Sequence, residues 1–250
     1  MESTLRAMVA LGIALLLVML RLEAERFGAA EYDEATAGHL PALRRRLSWY
    51  ALGLILLFVI FVAYPAPRSD LHLTTGDRLE AILFGLGFGA VGTAQAVAFA
   101  WLRYRRLRLP EPKLYAGAVV NALGTALIDE AAFRGVLMGF VLLAGVDGST
   151  ANVIQALLYA LATRLGAPGR DRYMLVLVLL IGLAGGWLTL ATGGIGAAFV
   201  GHSITRFATF LTTGHPGRVA LPGHESEDVE RVHRPPEGWQ VVPDGARRRR

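Results

Sequence analysis

The chain has no cysteine among its 250 residues. That excludes a disulfide framework, a thiolate metal site and a thiol nucleophile. Charge is scarce as well: Asp, Glu, Lys and Arg make up 18% of the residues against 54% hydrophobic. Soluble domains carry about a quarter charged residues, so this balance points to a polytopic membrane protein. HExxH and GxSxG are both missing. A zinc protease helix and a nucleophile-elbow serine are therefore unsupported, and Ser203 lies on a different helical face from His202. No metal or cofactor is expected. The net charge of +5 does not argue for nucleic acid, because the arginines border apolar stretches, where they set orientation.

Seven stretches are long enough to span a bilayer: 4–20, 47–64, 80–102, 114–145, 149–165, 172–191 and 193–214. The first has one arginine nearby and no small-residue cleavage site, and reads as a retained span. The fourth is too long for one straight span and must tilt, kink or leave the membrane. Basic and non-basic connections alternate. Arg21, Arg26, Arg44, Arg45 and Arg46 follow the first span; Arg103, Arg105, Arg106, Arg108 and Lys113 follow the third; Arg164, Arg170 and Arg172 mark the fifth link. Between them, Arg68 and Arg78 are the sole basic residues of the second link. The expected fold is an all-α polytopic bundle with the N-terminus outside and the C-terminus cytoplasmic, in the cell membrane. It divides into N-terminal spans (1–79), an intramembrane core (80–214) and a flexible basic tail (215–250). Residues 21–46 are expected to form an amphipathic helix along the cytoplasmic surface.

Against this background the middle of the fourth span stands out. Leu114 to Val146 is uncharged except for Asp129, Glu130 and Arg134. A charge near the bilayer centre costs about 2.5 kcal/mol or more, so these groups should face a bundle interior. Asn121, Thr125 and Asp129 recur every four residues and share a face. Glu130 and Arg134 have the spacing of a helical ion pair. Span seven adds His202 and, one turn on, Arg206; span five adds Asn152, Gln155, Tyr159 and Thr163 on one face. Gly85 with Gly89, Gly182 with Gly186, and Gly193, Ala197 and Gly201 follow the small-xxx-small spacing of close helix packing. A transporter is disfavoured, since no inverted repeat is visible.

Asp129-Glu130-xxx-Arg134-Gly135 resembles the EExxxRG motif of the CPBP (Abi) family, which includes the type II CAAX prenyl endopeptidases and bacteriocin-processing proteins. The resemblance runs over about 80–210 and takes in Tyr159, Gly182-Leu-Ala-Gly-Gly-Trp187, Thr192-Gly193-Gly194 and Ala197-Ala-Phe-Val-Gly-His202. It implies an intramembrane endopeptidase acting on a membrane protein segment or lipidated peptide. In that family the first motif acid and the histidine of FxxxH activate water, while HxxxN holds the oxyanion. Here Asp129 replaces the first glutamate, Tyr159-Ala-Leu-Ala-Thr163 replaces FxxxH, and His202-Ser-Ile-Thr-Arg206 replaces HxxxN. Two roles follow from the resemblance. Asp129 acts as base, with His202 and Arg206 at the oxyanion and Glu130 in the motif. Alternatively Arg206 clamps Asp129, and the chain is an inactive relative that binds or scaffolds another membrane protein. Asn121, Thr125, Tyr159 and Thr163 would line the cavity.

Overall fold

The computed structural model describes residues 2–29, 32, 40–104, 107, 109–166 and 172–213. Those residues are helical or in connections, with no strand among them. Seven rods follow one another. They are α1 (Glu2–Leu22), α2 (Leu40–Ala63), α3 (Arg78–Tyr104), a long α4, α5 (Gly148–Gly166), α6 (Arg172–Thr192) and α7 (Gly196–Thr213). α4 runs through Tyr115–Asp129, a π-helical stretch Glu130–Leu137 and Met138–Leu143 without a break. Met1–Arg218 forms one compact unit. The expected tail lies outside the described residues.

Leu40–Ala63, Arg78–Leu102 and Leu175–Thr192 are each long and apolar enough to cross a membrane. The single amphipathic helix expected over 21–46 is not formed. α1 stops at Leu22, a turn follows over 23–28, and α2 begins at Leu40. Gly28, at φ +66°, ends that turn in a conformation that glycine adopts without steric cost. Arg46, expected in a surface loop, is instead a buried residue of α2.

Small residues set the closest contacts. A Cβ at Gly85 would stand 2.7 Å from Val200, and one at Gly89 would stand 2.6 Å from Ile204. Gly92 meets Thr205, and Gly201 meets Phe88, in the same way. The small-residue rows of α3 and α7 thus let the two backbones approach, and van der Waals packing replaces the hydrophobic drive that lipid cannot supply. The loop between α2 and α3 clasps the α6–α7 turn: Asp77 N–H donates to Thr192 O at 3.0 Å and Ile195 N–H to Thr74 O at 3.0 Å.

The π stretch falls on the charged motif. Its wider turn displaces the following faces relative to a regular α-helix. Asp129, Glu130, Phe133 and Arg134 are all at 0% exposure, although adjacent α-helical residues point about 100 degrees apart. α4 is enclosed here because α1, α5 and α6 pack around this stretch, while α7 packs against the turns before it and reaches Glu130 through His202. The N-terminal helices, set apart at residue 79 in the sequence reading, are part of that enclosure.

Candidate functional site

Glu130 is the hub. Its Oε1 lies 2.6 Å from His202 Nδ1, and its Oε2 lies 3.3 Å from Arg134 Nε. The Arg134 guanidinium stacks on the Tyr159 ring, 4.1 Å from the centroid, an arrangement favoured when a cation is stripped of water. Gly185 of α6 closes this side; a Cβ there would stand 3.4 Å from both Arg134 Nε and Glu130 Oε2. The Tyr159 hydroxyl joins the two halves of the site. It is 3.4 Å from Asp129 Oδ2 and 3.3 Å from His202 Nε2.

Asp129 has a partner that sequence reasoning missed. Arg21 of α1 brings its Nε to 3.0 Å from Asp129 Oδ1, with both side chains buried. Its Nη2 donates to Thr163 Oγ at 3.4 Å. The position expected for a clamping Arg206 is therefore taken by a residue read as an orientation charge. The signal was faint but present. Ala10, Ala14, Leu17 and Arg21 recur at helical spacing and are all buried, so Arg21 continues the bundle-facing stripe of α1 rather than starting a loop.

Arg206 reaches Asn121 Oδ1 at 3.5 Å. It sits one turn from His202 along α7, and Asn121 sits two turns before Asp129 on α4, so this contact lies at another level of the bundle. Asn121 also donates to Tyr50 Oη at 2.7 Å and to Ala29 O at 3.4 Å. Thr125 donates to the same carbonyl at 3.1 Å. The structure thus brings Asp129, Glu130, Arg134, Tyr159, Thr163 and His202 into one buried cluster. Asn121, Thr125 and Arg206 stand beside it. Asn152 and Gln155 face α6, donating to Leu183 O and Gly182 O at 2.9 and 2.8 Å. Among the described residues no group of three or more His, Cys, Asp or Glu is placed to hold a metal ion.

Chemically, a carboxylate at 2.6 Å from one ring nitrogen fixes the imidazole tautomer. With Nδ1–H donating to Glu130, Nε2 carries the lone pair and can accept a proton. Two carboxylates and two guanidiniums balance in charge at this centre, Asp129 with Arg21 and Glu130 with Arg134. Pairing of this kind is what makes buried charge tolerable.

Residues 111–208 match the family model described as type II CAAX prenyl endopeptidase Rce1-like. This segment holds α4, α5, α6 and α7 as far as residue 208, with every cluster residue except Arg21. No curated protein and no solved structure matches the chain.

Proposed function

We propose that this chain, whose residues 111–208 match the Rce1-like family model, is a CPBP-family, CAAX protease-like membrane protein and an intramembrane endopeptidase built on the Glu130–His202 couple. The observation that carries this reading is the 2.6 Å contact between Glu130 Oε1 and His202 Nδ1, with Nε2 turned toward Tyr159. His202 Nε2 takes a proton from water as the oxygen adds to a peptide carbonyl. The imidazolium then returns that proton to the departing amine. Glu130 orients the ring and stabilises its cationic form. The Tyr159 hydroxyl donates its one proton to Asp129, which Arg21 holds, and serves a developing oxyanion by turning that proton from the carboxylate to the new charge. The substrate is a membrane-associated peptide segment, free or lipidated. Alternating loop charge supports a multi-pass protein of the cell membrane, with its N-terminus outside and its C-terminus cytoplasmic.

Cleavage of a membrane-embedded peptide by purified protein tests this. General-base contributions are about 10²–10⁴-fold, so His202→Ala should lose at least about a hundredfold in rate, and Asp129→Ala less. Equal product from all three proteins would end the peptidase reading.

A second reading is a family member that binds such segments without cutting them. The Arg21–Asp129 pair favours it, as does Thr163 at the position where the family carries a histidine. Threonine cannot take a proton near neutral pH, and the Asp129 carboxylate is engaged by Arg21 at 3.0 Å.

A further inference from the structure

The polar row Asn121, Thr125 and Asp129 extends over about 12 Å of α4. One short part of the same chain, residues 21–29 with Tyr32, makes contacts along all of it. Arg21 takes Asp129. The Ala29 carbonyl accepts from both Thr125 and Asn121. Tyr32 lies against Gly117, one turn before Asn121. Ala24 and Ala29 are fully buried. Ala29 N–H donates to Ala24 O at 2.8 Å, which folds the segment so that the Ala29 carbonyl points outward to α4.

That carbonyl is unusual in its chemistry. Inside a helix each C=O is used by the N–H four residues on, so two side-chain donors on one carbonyl select backbone that is not helical. Asn121 and Thr125 therefore form a reader for the main chain of an unwound peptide. They belong to the segment matched by the family model, whereas the main-chain carbonyl on which both of them donate, that of Ala29, lies outside 111–208. The anchor that holds the filler in place also lies outside it. Arg46 donates from Nε to Gly28 O at 2.8 Å, and its guanidinium lies 4.7 Å over the Tyr32 ring.

We propose that residues 24–29, together with Tyr32, are an internal strap occupying the peptide-binding face of α4, and that a substrate segment with non-helical backbone displaces the strap to reach Asn121 and Thr125. The inference rests on the reading of this centre as a peptide-binding site. It names the feature that the site recognises, a free main-chain carbonyl, and gives Arg46 the role of latch.

The absence of native cysteine makes the test clean. In full-length protein in detergent micelles, an Ala29→Cys variant carries the sole thiol, and its reaction with a maleimide should be slow. Adding Arg46→Met, which keeps the aliphatic stem but removes the donors, should raise that rate about tenfold or more, as expected for loss of a charge-assisted hydrogen bond. Gly28→Val should release the strap independently, because φ +66° is strained for valine. A control thiol at the buried Ile60, introduced by Ile60→Cys, should stay slow in both backgrounds. With native Ala29, a fluorescent peptide copying residues 20–32 should bind the Arg46→Met protein at least tenfold more tightly than the native chain. Adding Asn121→Ala and Thr125→Val should abolish that binding. Fast labelling without the latch variant, an equal rise at the Ile60→Cys control, or peptide binding indifferent to Asn121 and Thr125 would each overturn the strap. Peptide binding is read without cleavage, so an inactive His202 would show in the hydrolysis assay alone.

Discussion

At the residue scale the bundle centre holds charges that have nowhere to go but to each other. Removing one member of a buried ion pair leaves the other unpaired, at a cost of about 3–5 kcal/mol. Arg21→Met should lose stability of that order in chemical unfolding in detergent, and Asp129→Asn in the same background should recover much of the loss. A simple sum of the two single effects would mean that the pair is not coupled. Outside the membrane segments, His72 offers a pH handle. Burial pushes its pKa below the usual histidine value, although the Gly193 carbonyl and Asp70 push it back up in part. The neutral form is thus favoured in the folded state, so its contribution is intact above about pH 6.5 and is lost as pH falls through the lowered value. Melting temperature should drop more steeply below pH 6.5 in the native chain than in His72→Gln; parallel profiles would exclude this histidine. Asp129, Glu130 and His202 were legible because ionisable groups deep in apolar runs demand an enclosed setting. Arg21 was not, because an arginine at a span's end serves equally well as an orientation charge, and only the packing of α1 tells the two apart.

At the element scale the helical rods could be read from apolar length, and three of them are long and apolar enough to cross a membrane. The fourth rod was too long to be regular, and the structure resolves the excess through the π stretch over Glu130–Leu137. Its register was not readable, because a π turn is held by what packs around it and not by local propensity. Nor was the break after Leu22, where mixed charges imitated an amphipathic helix and tertiary contacts to Gly28 and Ala29 decided otherwise. The glycine seam between α3 and α7 was visible as spacing, but its pairing was not. Gly89→Leu forces a side chain into Ile204 and should destabilise by about 1–3 kcal/mol, the usual cost of overpacking. Gly87→Leu, on a face with nothing within 4 Å, should be close to neutral. Equal losses in thermal unfolding would show that the seam is not tight.

At the scale of the whole molecule, a core carrying most of the buried ionisable cluster is completed by helices from outside it. The segment 111–208 supplies Glu130, His202, Tyr159 and the Asn121–Thr125 pair that donates to the Ala29 carbonyl. α1 supplies the cation for Asp129, and the chain leading out of α1 covers the polar face. The division at residue 79 drawn from the sequence follows the spans but not this traffic of side chains. The central claim is that Glu130 and His202 act as one unit on a peptide bond. The most direct measurement is turnover of a fluorogenic membrane-embedded peptide by the native chain beside Glu130→Gln, which keeps shape and removes charge. The account predicts a fall of about a hundredfold or more with the fold retained. Undiminished turnover by Glu130→Gln would contradict it.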